Sequence, residues 1–125
     1  MDEKDYTLFI EARGSHLFAR ASGVRTRDTV TAMTIDIFDT AIDNNLSKVL
    51  IDVNELKGKL GIFDSYRVVT LVFQSLRGKG IRKAAIFDEQ VSSHREWFLE
   101  TVARNRGFNL RIFANLEDAL KWLEL

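Results

Sequence analysis

The chain has 125 residues, with no Cys and no Pro, and its 18 Lys and Arg balance 18 Asp and Glu. That length suits one domain spanning residues 1–125, because halves of it would be too small to bury good cores. The lack of Cys excludes disulfides, thiol chemistry and Cys-type zinc sites, and the zero net charge argues against a nucleic-acid binder, which ordinarily carries a basic surplus.

The start, Met1 to Asp5, is acidic and polar, unlike a signal peptide. No apolar run approaches the roughly 20 residues that cross a bilayer, so the expectation is a cytoplasmic protein whose residues 1–6 are flexible. Thr7 to Ala12 and His16 to Ala21 read as two strands, and the short Gly14-Ser15 connection predicts an antiparallel hairpin that Gly23 closes. Arg27 to Asn45 reads as a long helix, with Thr26 or Asp28 as N-cap and Asn44-Asn45 at its end. Val30, Met33, Ile37 and Ala41 share one face with Phe38 beside them, and Ile35 and Ile42 widen the apolar arc. A neighbouring helix explains that width, and a homodimer contact is the alternative.

Lys48 to Val53 is an apolar run of the kind buried on both faces of a parallel sheet. Asn54 to Gly61 reads as a polar loop, and Ile62 to Arg77 as a second helix carrying Tyr66, Val69, Val72, Phe73 and Leu76. Gly78-Lys79-Gly80 ends that helix. Ile81 to Phe87 is a third buried-type strand. A helix follows from Ser92 or Ser93 to about Arg106, with Ser93 and Glu96 at capping-box spacing and Trp97, Phe98 and Val102 facing inward. Gly107 stops it. Phe108 to Phe113 is the last strand, and Asn115 caps a last helix that turns Leu116, Ala119, Leu120 and Leu123 to one side. The order β-β-α-β-α-β-α-β-α implies an α/β fold: a mixed, mostly parallel sheet with an N-terminal antiparallel hairpin, covered by helices.

Three stretches resemble the anti-sigma-factor-antagonist (STAS) family, and within it the sporulation-antagonist-like branch grouped with Sec14-like lipid-binding domains. Val49-Leu50-Ile51-Asp52-Val53 looks like the central strand of that fold, ending in Asp before the functional loop. Lys83-Ala84-Ala85-Ile86-Phe87 looks like the next strand, and Arg111 to Leu123 is similar to the C-terminal strand and helix. In the antagonists a Ser at the start of the second helix is phosphorylated by a partner kinase. A helix N-terminus tolerates added negative charge, and that charge changes what the surface binds. The family pattern there is Asp-Ser-Ser-Gly, whereas this chain reads Asp64-Ser65-Tyr66-Arg67. Ser65 matches the first Ser, Tyr66 stands where the phosphorylated Ser would be, and Arg67 replaces Gly. An ordinary first-turn residue is the plainer role for Ser65.

No phosphate loop, dinucleotide fingerprint or nucleophile elbow occurs. His16 and His94 are the only histidines and lack metal-motif spacing. A triad of Ser65, His94 and Asp52 or Asp88 has nothing in the sequence to bring it together. Asp52 and Asp88 sit near the carboxyl ends of strands, where open α/β sheets bind ligands, but the companions of a phosphoacceptor site are missing. Capping and loop hydrogen bonds suit them better. Arg77, Lys79, Arg82 and Lys83 cluster around one loop, and Arg25 and Arg27 precede the first helix. Either group could take an anionic head group or a nucleotide, although a solvated face is the commoner meaning of such a run.

The sequence therefore points to a non-enzymatic regulatory module, with no cofactor and no metal. It would bind a protein partner through Asp52, Phe63, Asp64, Ser65, Tyr66 and Arg67. The alternative is a carrier of a small apolar molecule or lipid. The strongly apolar second helix (Ile62, Phe63, Val69, Leu71, Val72, Phe73) could line a cleft against the sheet, although plain core packing accounts for the same residues.

Overall fold

A computed structural model describes residues 6–76, 78–91 and 93–125, and for residues 93–97 it describes the backbone alone. Met1 to Asp5, Arg77 of the basic cluster, Ser92, and the side chains of Ser93, His94, Glu96 and Trp97 thus lie outside the described residues. The elements are β1 (Tyr6–Arg13), β2 (His16–Val24), α1 (Arg27–Asp43), β3 (Lys48–Lys57), α2 (Ile62–Leu76), β4 (Lys83–Phe87), α3 (Ser93–Asn105), β5 (Leu110–Phe113) and α4 (Leu116–Leu123). The predicted order holds throughout. Tyr6, expected in a flexible start, instead opens β1 and is buried.

The five strands lie side by side in chain order. β1 and β2 are antiparallel, and β2, β3, β4 and β5 run parallel. The hairpin pairs Arg13 with His16, and Gly14 takes φ +62° in the two-residue turn. Glycine at the first central position of such a turn suits the right-handed strand twist. Crossovers of one hand that step in one direction leave their helices on one face of a sheet. Thus α1, α2 and α3 share a face, while α4, which follows the last strand, folds back over the other.

Strand periodicity follows this division. Leu17, Ala19, Ala21, Val49, Ile51 and Ala84 point into the core under α1 and α2, joined by Met33, Ile37, Phe38, Val68 and Val72. The alternate residues Phe18, Leu50 and Ala85 pack beneath α4 with Ala119, Trp122 and Leu123. Fully buried side chains such as Phe38, Ile37 and Leu50 each contribute about 1.5–3 kcal/mol. Ile35 and Ile42 pack against the first core, which accounts for the wide apolar arc of α1.

The helix ends are set by local chemistry. Thr26 Oγ1 accepts the Thr29 N–H at 3.1 Å as N-cap of α1. At the other end Asn45 takes φ +59°. Leu46 N–H reaches Ala41 O at 2.8 Å and Asn45 N–H reaches Ile42 O at 3.0 Å. This is a Schellman closure, and it drives Leu46 into the core.

Two sequence boundaries are corrected. β2 does not end at Gly23, and β3 does not give way to a loop at Asn54. Both continue as a pair, Ser22 with Glu55, Gly23 with Leu56 and Val24 with Lys57. Between Arg20–Asp52 and Ser22–Glu55, β2 advances by two residues and β3 by three. That β-bulge shifts the phase of β3 by one, so Leu56 returns to the core side and Glu55 faces out. The strand therefore survives a stretch whose plain alternation is broken.

Candidate functional site

Because β2, β3 and β4 are parallel, their carboxyl ends meet at one edge of the sheet. Arg25 follows β2, Gly58 to Gly61 follow β3, and Asp88 to Val91 follow β4. This is the end where open α/β sheets ordinarily hold ligands. A polar recess of about 260 Å³ lies there, lined by Arg25, Asn54, Gly58, Lys59, Asp88, Glu89 and Gln90.

Beside it, between α2 and the sheet, is a cavity of about 160 Å³. Its walls are largely aliphatic: Val53, Val68, Val69 and Val72, Ile86, Leu99, Phe108, Leu110 and Ile112. On the helix side it is bounded by short side chains. α2 turns Ser65, Val68, Val69 and Val72 toward the sheet, at helical spacing. None of these is longer than Val, so the helix stands off without filling the space. Phe108 reaches the same cavity because the α3 terminus folds it inward, with Phe108 N–H on Ala103 O at 2.9 Å and Gly107 at φ +78°. Arg25, Lys59, Asp88 and Gln90 line both spaces.

Arg25 is held between the two. Its side chain is 15 % exposed and one terminal nitrogen stands 3.7 Å from Asp88 Oδ2. The other donates to Val53 O over 3.3 Å. Its Nε is buried with no hydrogen-bond partner among the described residues. Asp88 Oδ1 accepts the Gln90 N–H at 3.0 Å, closing the turn after β4.

Asp52 has a different setting. Strand alternation puts its carboxylate on the α4 side of the sheet, facing away from α2. There Oδ1 accepts the N–H of Asn54 at 3.0 Å and its Nδ2 at 2.8 Å, and Arg20 Nε lies 3.4 Å from Oδ2. Asn54 Oδ1 in turn accepts the Glu89 N–H at 2.7 Å. Asp52 thus fixes the loops at the strand ends and is not brought together with residues 63–67.

Those five residues do cluster, and they divide between two environments. Phe63 is 87 % exposed and Ile62 56 %, so neither lines the space under α2 as the sequence suggested. Tyr66 is half-exposed, and its hydroxyl accepts from Arg106 at 2.6 Å. Asp64 and Arg67 are exposed. Ser65 alone points inward, 3 % exposed, on the cavity wall. A modifying enzyme cannot reach its hydroxyl while α2 lies on the sheet. His16 belongs to the far end of β2, where burial, then the charge of Arg13, hold its imidazole below the usual pKa. It cannot meet Ser65 or Asp88.

Sequence reasoning missed Asn54, Val91 and Phe108 as members of this end of the molecule, and gave Arg25 only a general role. Val91 follows a strand, and its position at a carboxyl end was the signal available.

These features define a small α/β domain with its ligand-accessible spaces at the carboxyl edge of a parallel sheet and an apolar tip on the second helix. The model of the SpoIIAA-like family matches residues 17–124, and the chain belongs to that family. An uncharacterised DUF3478-family protein of SpoIIAA-like fold from Shewanella loihica PV-4 is 23% identical. It superposes with a TM-score of 0.58, covering 98% of this chain and 97% of that one. An anti-sigma factor antagonist from Mycobacterium paratuberculosis is 13% identical, with a TM-score of 0.57 over 99% of this chain and 98% of that one. Both likenesses establish the fold. No curated protein matches the chain. Among the described residues, no helix is long and apolar enough to cross a membrane.

Proposed function

We propose that the protein is a non-enzymatic regulatory module that docks a protein partner on the N-terminal tip of α2. The observation that carries this reading is the exposure of Phe63 at 87 %, with Ile62 at 56 % and Tyr66 at 38 % beside it. Positions 62 and 66, and 63 and 66, are neighbours on a helix surface, so the three form one patch. Buried aromatic anchors dominate protein interfaces, and an exposed Phe at a helix start is such an anchor without its pocket. Asp64 and Arg67 supply a charged rim. The likeness to an anti-sigma factor antagonist supports a partner that is a regulatory protein.

The test is affinity capture from the cell of origin with the wild-type chain, the double variant Phe63→Ala/Tyr66→Ala, and Phe9→Ala as a control on the distant hairpin. A specific protein recovered by wild type and control but lost with the double variant is expected. Equal recovery by all three, or by none, overturns the reading.

A second reading, a carrier of a small apolar molecule, is favoured by the cavity beneath α2. At about 160 Å³, with walls that are mostly aliphatic and an opening toward Arg25, Lys59 and Asp88, it has room for a small apolar body. Displacement of an environment-sensitive apolar dye, and its loss when Val72→Trp fills the space, test it.

A further inference from the structure

We propose that two copies of this chain pair antiparallel through β1, joining their sheets edge to edge, with Phe9 on the two-fold axis. The two edges of the sheet differ. β5 has four residues, and Glu100 of α3 accepts the Ile112 N–H at 2.8 Å, so that edge is short and capped. β1 has eight residues, and from Tyr6 to Ile10 it carries no charge and no Pro. An edge of that length and kind is a template for another strand. The charges of β1, Glu11 and Arg13, sit next to the turn and bond to each other. Arg13 and His16 close a two-residue turn, so they exchange both backbone hydrogen bonds, as does every second pair back to Thr7 and Ser22. The N–H and C=O of Leu8 and Ile10 therefore point away from β2, and no other described residue bonds them.

The pattern of the edge selects a second copy. Around Phe9 the strand is a near palindrome: Leu8 and Ile10 flank it, then Thr7 and Glu11. A two-fold contact needs such self-complementarity. Antiparallel pairing centred on Phe9 sets Leu8 against Ile10 of the second copy, and these two exchange the outward backbone bonds. Phe9 then meets Phe9 of the second copy in a non-hydrogen-bonded pair, where side chains come closest, and Thr7 meets Glu11. Moving the axis to Ile10 would put Phe9 against Glu11, and moving it to Glu11 would oppose two carboxylates. Phe9, 50 % exposed beside the ring of Phe18, is covered by its own counterpart in the first register. The helices leave room. α1 packs more over β2 than over β1. The two β2 strands of the pair would lie about 14 Å apart, beyond the roughly 8–10 Å at which helices touch. β1 is two strands away from β3, which leads into α2, so the contact leaves the tip of α2 free.

Sedimentation equilibrium of the full chain is expected to show a rise from 14.3 kDa toward twice that mass as the concentration approaches about 1 mM, where a contact of about 4 kcal/mol is half-formed. Because the chain has no Cys, single cysteines read the register. Phe9→Cys in a glutathione redox buffer is expected to give a disulfide-linked dimer, since opposed residues of a non-hydrogen-bonded pair lie about 4.5 Å apart at Cα, within disulfide reach. Thr7→Cys and Glu11→Cys are each expected to stay unlinked when separate and to cross-link when mixed. Phe9→Lys sets two like charges against each other on the axis and should weaken association at least about tenfold, whereas Phe63→Lys on the tip of α2 should leave it unchanged. A wild-type chain that is monomeric at about 1 mM overturns the proposal. So does self-linking of Thr7→Cys or Glu11→Cys as ready as that of Phe9→Cys, or a dimer that survives Phe9→Lys and is lost with Phe63→Lys.

Discussion

Asn54 joins two strand ends: its Oδ1 accepts the Glu89 N–H at 2.7 Å, while its Nδ2 donates to Asp52 Oδ1 at 2.8 Å. One side chain placed within the bulge thereby ties β3 to the loop after β4. Since that loop also carries Asp88 and Gln90, the walls of the polar recess depend on Asn54 for their position.

Asn54→Ala removes these bonds and leaves the Asp52 carboxylate, itself buried, with fewer donors. A loss of about 1–3 kcal/mol is expected, seen as a fall of roughly 3–6 °C in Tm per kcal/mol for a chain of this size. Asn54→Asp should be at least as harmful, because it sets a second carboxylate beside the first. Thermal unfolding of both variants checks this, and an unchanged Tm would show the link to be incidental.

The same residue marks where the sequence stopped being legible. Element order and type could be read because the signals were redundant: apolar runs at Val49–Val53 and Ala84–Phe87, helical spacing in α1 and α2, and Asn or Gly at the helix ends. The continuation of β3 through Asn54 to Lys57 could not be read. A bulge changes the phase of alternation, and its cause is the pairing with Ser22–Val24, which is non-local. The candidate site was legible in part for a similar reason. Phe63, Asp64, Ser65, Tyr66 and Arg67 were found as a group because they are consecutive. Their sorting into an exposed tip and an inward Ser65 depends on how α2 lies on the sheet. Asp52 was grouped with them from its strand-end position, and the parity of the strand sends it to the other face. The cavity is a property of facing surfaces, so Val68, Val69, Val72, Phe108 and Leu110 look like ordinary core residues in the sequence.

Tyr6 gives a pH signature. Its hydroxyl donates to Asp36 on α1, and burial, with this hydrogen bond and the carboxylate's charge, pushes the phenol up to about 12 from 10.0. The folded state therefore holds this proton more tightly than the unfolded chain does. Its contribution to stability is complete below pH about 10 and is lost as pH rises from there toward 12. Tyr6→Phe should be less stable than wild type at pH 8, and the gap should close as the pH approaches 12. Urea midpoints measured across that range decide it. A gap that is constant with pH would remove the Tyr6–Asp36 bond as its cause.

Ser65 offers the most direct test of whether charge can be added under α2. It lies in the first turn, where the helix dipole favours negative charge by about 0.3–1 kcal/mol. Against this stands the burial of an ion at a position 3 % exposed, on an aliphatic wall, which costs several kcal/mol. Desolvation outweighs the dipole, so Ser65→Asp is expected to destabilise the protein by about 2–4 kcal/mol. Ser65→Ala should cost much less, and the exposed neighbour change Asp64→Ser should stay within about 1 kcal/mol. Denaturant unfolding of the three variants separates dipole from desolvation. If Ser65→Asp unfolds at the wild-type midpoint, the first turn of α2 leaves the sheet readily, and the hydroxyl is open to modification after all. If it is strongly destabilised, any modification there must first lift the helix and open the cavity behind it.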